Sequence, residues 1–342
     1  MKNWKFWLGV AVSLVFIAVA LLQIKDWGAF GRSFRAADLR FVLLMLAGYF
    51  FVFALRTLRW QYILLGTGRP RLASTFIALV ICYMGNNIFP FRAGEVLRVY
   101  VLRRRHQIPI SSGLATVVVE RLADVFTMLF FLGLLFLTLE FPPQFQAVEG
   151  ALKKGGILAI VTTVVLILFL YGLYIGSGWV EGIVAQALRL LPKRWRARFQ
   201  ETLKSFVGGL HILGRPGRLL NLFLFSVVVW VANLLPVYFV GRAFHWDLSF
   251  FGSLLLLFLG AVAASIPAAP GFWGTFHYLT AQGLAFLGLG PQETALSYAI
   301  VLHAGYYFPV LILGAILAWR EGYSLASVKA AEKEIEQEKP AP

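Results

Sequence analysis

Long apolar stretches alternate with short polar ones along the whole chain. Predominantly apolar runs occupy residues 7–24, 41–64, 73–89, 113–139, 157–177, 219–241, 250–266, 272–289 and 293–319. A helix needs about 20 such residues to cross the hydrocarbon core of a bilayer. The runs therefore predict an all-α polytopic membrane protein, and the intervals between them leave no room for a soluble domain. We expect one integral membrane domain over 1–328, followed by a charged tail at 329–342 whose Glu-Lys alternation has no apolar face. Composition agrees. With 59% hydrophobic and 14% charged residues, the chain has too little polar surface to cover a soluble globule, so lipid must solvate most of it.

The 31 lysines and arginines outnumber the 16 acids and give a net charge of +15. Such an excess can mark a nucleic-acid binder, but here the cations sit between apolar runs, where they set topology and attract anionic lipid headgroups. The intervals richest in Lys and Arg, 92–105 and 189–218, are expected to be cytoplasmic, and 140–156, with Lys153 and Lys154 against Glu140 and Glu149, external. If 73–89 crossed without returning, Arg103, Arg104 and Arg105 would face outside. The charge pattern rejects that, so the chain enters at 73, breaks near Pro90 and returns by Arg103. By the same reasoning 250–266 and 272–289 enter and leave from the outside. Six full crossings remain, with both termini cytoplasmic in the cell (cytoplasmic or inner) membrane. The segment 25–40, with Lys25, Arg32, Arg35 and Arg40 against Asp26 and Asp38, fits the external side poorly. Lys2 and Lys5 precede the first run and Ala18-Val19-Ala20 resembles a cleavage site, but the apolar region is long for a signal peptide, so we expect an uncleaved anchor. The single cysteine, Cys82, lies in an apolar run and reads as a small buried hydrophobe.

Pro90 to Gly94 and Pro267 to Gly271 share a Pro-x-x-x-Gly spacing at an offset of 177 residues. The same offset carries 41–64, 73–89 and 113–139 onto the runs beginning near 219, 250 and 293. One offset with several matches indicates duplication. In the charge-derived topology the two copies, about 41–139 and 218–319 with 157–177 as a linking helix, point in opposite directions. Two inverted repeats, each with a Pro/Gly-broken or re-entrant helix pair, are expected, and in such folds the breaks of both halves meet near the midplane and bind substrate.

The first break carries Asn86, Asn87, Arg92, Glu95 and Arg98 around Pro90 and Gly94, a polar set that lipid does not tolerate unpaired. Arg92 and Arg98 have the planar fork that suits a phosphate, and Glu95 stands one helical turn from Arg98. The plainer alternative is a solvated loop whose arginines only set topology. In the next run, Glu120, Arg121 and Asp124 share one stretch of helix; they lock the break by pairing with Arg92 and Arg98, touch substrate, or relay protons. The second break replaces charge with small and aromatic residues: Pro267, Pro270, Gly271 and Gly274, then His277 and, in the last run, His303. These suit a path for a lipid tail, and the histidines meet across the repeat interface or serve as separate structural groups. Trp195, Phe199, Leu203, Phe206 and Leu210 recur at helical spacing among basic residues, which predicts a helix lying on the cytoplasmic leaflet. Nothing has the spacing of a metal site, an acyl-hydrolase elbow or a Walker loop, so neither a metal nor any other cofactor is expected.

At these residues the chain resembles the flippase-like membrane domain that precedes the soluble domain of lysylphosphatidylglycerol synthases and also occurs alone. The family pattern of an Asn, then Pro-x-Arg-x-Gly-Glu with a following Arg, then Glu-Arg and an Asp, matches Asn86 or Asn87, Pro90, Arg92, Gly94, Glu95, Arg98, Glu120, Arg121 and Asp124. The second-half pattern departs from the family: Phe272 replaces a glycine, and His277 stands where an acid is often found. The resemblance implies translocation of a phospholipid or other anionic lipid between leaflets, with no catalytic residue. Two alternatives stay open: an intramembrane lysyltransferase-type enzyme with Glu95, Glu120 or Asp124 as base, and a membrane subunit that anchors a separate synthase. Only 23 residues follow Trp319, so aminoacyl transfer by this chain alone is not expected.

Overall fold

Every regular element in the computed structural model, which describes residues 4–89, 92–138, 146–189, 193–266 and 271–322, is helical. The expected break prolines Pro90, Pro267 and Pro270 and the tail 329–342 lie outside the described residues. Among the described residues, five helices are long and apolar enough to cross a membrane: Leu39–Gly66, Ile110–Thr138, Lys153–Tyr174, Gly217–Ala243 and Gln292–Arg320. A sixth candidate is the pair Ala11–Leu22 and Trp27–Ala36, bent by 96°. Two of the runs expected to be re-entrant form shorter helices, Leu72–Ile88 and Phe250–Ala263.

In chain order, α1 (Trp4–Leu22) turns sharply into α2 (Trp27–Ala36), which Asp26 caps by accepting from the Ala29 amide. The corner is tied down by Glu293, whose carboxylate accepts from the backbone amides of Lys25 and Asp26 at 2.9 and 3.3 Å. Then come α3 (Leu39–Ile63), α4 (Leu72–Ile88), α5 (Gly94–His106) and α6 (Ile110–Thr138), followed by α7 (Gln146–Tyr174), α8 (Gly178–Arg189) and α9 (Lys193–Gly209). The last group is α10 (Pro216–Ala232), α11 (Leu234–Ala243), α12 (Phe250–Ala263), α13 (Thr275–Phe286) and α14 (Gln292–Arg320).

Helix α5 doubles back along α4. Arg105, near the end of α5, donates to Ser74 at the start of α4 (2.9 Å) and forms an ion pair with Glu321 just beyond α14. The mouth of this hairpin therefore lies at the C-terminal end of α14. Glycines make the close return possible: a Cβ on Gly94 would lie 1.9 Å from the Cys82 carbonyl oxygen, and one on Gly85 would lie 2.9 Å from the Gly94 Cα. Helices α12 and α13 make a second hairpin. A Cβ on Gly252, near the start of α12, would meet Leu287, just past α13, and Gly290 lies against Trp246. Its mouth lies at the other end of α14, beside α3, whose Asp38 amide donates to the Ala243 carbonyl (2.9 Å).

These contacts sort the charges. Arg103, Arg104, Arg105 and Arg320 gather at one end of the molecule, near Glu321. At the other end the cations meet acids: Arg32 with Asp26 (3.2 Å), Arg40 with Asp38 (3.3 Å) and Arg242 with Asp247 (3.2 Å). In the segment 25–40, which fits the external side poorly as a bare count of cations, Arg32 and Arg40 are thus paired with its two acids, and a net charge of +2 remains.

Helix α9 departs from the expectation of a helix resting on lipid. Its C-terminal half packs on α6 instead, because Gly209 lets the backbones touch and Ser112 donates to the Ser205 carbonyl (2.6 Å). Phe206 and Leu210 join the apolar cluster around Trp60 and Leu64, and only Phe199 of the described apolar face stays exposed.

The Gly94 contact yields a test. Gly94→Ala should lower stability by about 3 kcal/mol or more, since the clash is with backbone and cannot relax by rotation of a side chain. Gly217→Ala, where an added Cβ meets nothing within 4 Å, should be neutral or stabilising by up to about 1 kcal/mol. Thermal unfolding in detergent compares the two, and equal melting would refute the close approach.

Candidate functional site

Glu120 lies in the middle of the polar interior of the first half. Its Oε1 accepts from Arg59 of α3 (2.8 Å) and Arg121 (3.1 Å), and its Oε2 accepts from Arg98 of α5 (2.6 Å). Asp124, one turn along α6, takes Arg59 (2.6 Å), Arg121 (3.3 Å) and the Trp230 indole N–H of α10 (3.0 Å). Glu95 holds Arg98 (2.6 Å) as the expected i,i+3 pair and approaches Arg121 (3.8 Å). Three arginines meet three carboxylates, so the cluster is electrically neutral. The Arg98 guanidinium also stacks over the Trp60 ring at 4.6 Å, and the Trp60 indole donates to Thr116 (3.1 Å). Helices α3, α5, α6 and α10 are thereby tied at one point. In low dielectric these pairs offset a desolvation penalty of several kcal/mol per ion, and removing one member leaves an uncompensated charge.

Arg98 is fully buried on its two carboxylates. Arg92 is not in the cluster: it is exposed and donates across to the Ala264 carbonyl at the end of α12 (3.2 Å). Its backbone is left-handed, with φ 53°, a conformation that costs a non-glycine residue about 1–2 kcal/mol. The expected lock is thus built without Arg92, because Arg59 takes the position facing both Glu120 and Asp124. Asn86 packs against Cys82 at the α4–α5 crossing, with its amide nitrogen 3.9 Å from the thiol sulfur.

The second half contributes no charged side chain of its own between 250 and 290. There the backbone is left-handed at Gly271, Phe272 and Gly274, and a chain of hydrogen bonds holds it. The Gly274 amide donates to His277 Nδ1 (3.3 Å), His277 and His303 meet at 3.1 Å, and His303 Nε2 lies 2.8 Å from the Gly271 carbonyl oxygen. An amide can only donate and a carbonyl can only accept. With both rings neutral, the proton of each must therefore sit on Nε2, and the chain runs from Gly274 through both imidazoles to Gly271. Gly274 also lies against Ser13 and Ile17 of α1, where a Cβ would come within 2.5 Å of the Ser13 carbonyl oxygen.

Between the halves lies a cavity of about 220 Å³. Asn87 and His303, both expected from sequence, line it, together with Arg56, Tyr83, Asn233 and Tyr306. Ala264, which Arg92 contacts, forms part of its wall, and Trp230 connects that wall to the charge cluster. Arg56 and Arg59 are hidden in the sequence by the overall apolarity of 41–64. The signal that picks out Glu120, an ionisable residue inside a span, applies equally to both.

Described residues whose regular elements are all helical, with several candidate membrane spans, two short helical hairpins and a neutral cluster of buried charges, define a polytopic membrane protein with a polar interior. The chain belongs to the lysylphosphatidylglycerol synthase TM region family, whose pattern matches residues 6–314. It is 24% identical over 306 residues to a UPF0104 membrane protein of Methanothermobacter thermautotrophicus, covering 84% of this chain and 87% of that one. It is 24% identical to glycosyltransferase AglD of Haloferax volcanii, over 81% of this chain but 49% of that protein. A stretch of 95 residues is 28% identical to phosphatidylglycerol lysyltransferase of Staphylococcus aureus, covering 28% of this chain and 11% of the enzyme. No solved structure matches.

Glu120→Gln should destabilise the protein by about 3–5 kcal/mol, because Arg59 and Arg98 lose their shared charge partner in a buried site. Glu321→Gln, which removes the surface partner of Arg105, should change stability by at most about 1 kcal/mol. Denaturant titration of both variants tests the cluster as the structural anchor, and a tolerated Glu120→Gln would count against it.

Proposed function

We propose that this protein moves a phospholipid or related anionic lipid between membrane leaflets. The headgroup would enter at the broken segment of the first half, near Asn87 and Arg92, and the acyl tails would stay in the bilayer. One observation carries this reading: a cavity between the two halves is bordered by the ends of both short hairpins, with Arg92 of one reaching Ala264 of the other. On this reading the halves are inverted repeats. The hairpin mouths at opposite ends of α14 support that arrangement, as does the hydrogen bond from Arg56 to Asn233, two positions related by the repeat offset of 177. Rocking of the halves about their shared cavity would then expose it to one leaflet and then the other. The basic end would face the cytoplasm, and the cell membrane would be the site of action.

An enzymatic reading needs a free carboxylate as base, and Glu95, Glu120 and Asp124 are each held by arginine. That favours transport. The similarity to roughly half of a longer protein named a glycosyltransferase supports an additional reading, that such a domain serves a lipid-modifying enzyme. Co-purification from native membranes with a soluble transferase is the expected result, and isolation without one in stoichiometric amount would remove this second reading.

Reconstitution into vesicles with a headgroup-labelled phospholipid tests the main proposal. The wild type should move label between leaflets, and Arg92→Gln should slow it about tenfold, the loss expected for one charge-assisted contact. Folded wild type that moves no phospholipid would overturn the proposal.

A further inference from the structure

Arg56 sits inside the membrane helix α3, one turn before Arg59, yet the two have opposite surroundings. Arg59 has two carboxylates. Arg56 has none among the described residues; its guanidinium donates to the Tyr83 hydroxyl and to Asn233 Oδ1 (3.1 Å) and lies 4.9 Å from the Tyr83 ring centre. All of these partners are neutral. A cation held in an apolar helix without a counter-charge is costly, and Arg56 lines the cavity between the halves. The missing negative charge has a place to bind.

The cavity provides more than charge. Tyr306 lines it, and the buried Tyr306 hydroxyl has no hydrogen-bond partner among the described residues. The Tyr83 hydroxyl accepts from Arg56, which leaves its own hydrogen to donate. An anion here meets a guanidinium and two phenol donors, a set that suits the several acceptor oxygens of a phosphate better than the two of a carboxylate. Leu256, Leu257 and Ala261 add apolar surface to its lining. A volume of about 220 Å³ is below the roughly 300–1,000 Å³ of sites that enclose drug-sized ligands, so it takes a headgroup and leaves the tails outside.

We infer that Arg56, with Tyr83 and Tyr306, is an anion site for the phosphate of an amphiphile. The inference rests on the transport reading above and names the residue at which the headgroup is held midway. Because Arg56 and Tyr306 belong to different halves, a phosphate bound there touches both.

The test uses the purified full chain in neutral detergent and measures binding of dioctanoyl phosphatidate, dioctanoylglycerol and inorganic phosphate by calorimetry. Phosphatidate should bind, the uncharged glyceride should not, and inorganic phosphate should bind far more weakly for want of contacts with the apolar lining. Arg56→Gln, which keeps a donor toward Asn233, should weaken phosphatidate binding at least about tenfold. Tyr306→Phe, which removes only a hydroxyl without a partner, should weaken it severalfold with unchanged thermal unfolding, so the site stays testable if Arg56 variants fold poorly. Equal phosphatidate binding by wild type and a folded Arg56→Gln or Tyr306→Phe overturns the site, and so does glyceride binding as tight as phosphatidate. Tight, Arg56-dependent binding of inorganic phosphate overturns the lipid assignment. Arg56-dependent phosphatidate binding by a wild type that moves no lipid would instead uphold the site and sink the transport reading.

Discussion

Charge neutralisation around Glu120 is the constraint on which the rest depends. A carboxylate in the middle of a membrane helix is tolerated only when cations surround it, and here they come from α3, from α5 and from its own helix. Meeting that requirement fixes how far α5 returns along α4, since Arg98 reaches Glu120 only if the hairpin closes tightly at Gly94 and Gly85. It also fixes the contact between the halves on that side, because Asp124 takes the Trp230 indole of α10. The cavity wall is then set by the same cluster. Glu120 thus acts at once on helix packing, on the α4–α5 hairpin and on the shape of the polar interior.

The two halves solve one problem with different chemistry. A broken helix in lipid exposes backbone groups that must be satisfied internally. In the first half the return is held by ion pairs around Glu95 and Arg98. In the second, two neutral histidines join the glycines on either side of Phe272. His277 stands where the resemblance leads one to expect an acid, and its amide and imidazole partners tie Gly274 to Gly271 without one.

Much of this was legible in the sequence. The apolar runs marked most of the long helices within a few residues, though α7 begins well before its run; the runs expected to turn back at 73–89 and 250–266 are the ones that form shorter helices; and Glu95, Arg98, Glu120, Arg121 and Asp124 stood out as ionisable groups in apolar surroundings. The pairing among them was not legible. Arg92 and Arg59 carry the same charge, and only the path of the backbone decides which faces Glu120. Arg56 was masked for another reason: averaging over an apolar helix dilutes a single cation, and nothing near it in the chain hints at Tyr83, Asn233 or Tyr306. The packing of α9 on α6 depends on Gly209 meeting Ser112, nearly a hundred positions away, whereas the amphipathic pattern alone reports only that one face seeks cover.

The balance of three arginines against three acids in the Glu120 cluster has an electrical consequence. A unit charge carried across a membrane potential gains or loses about 2.3 kcal/mol per 100 mV. A cluster of zero net charge can shift with its helices and do almost no electrical work, so the Glu120 cluster itself is nearly blind to voltage. Arg56 lies outside that balance and responds to the field, and an anion of unit charge bound to it would cancel that response.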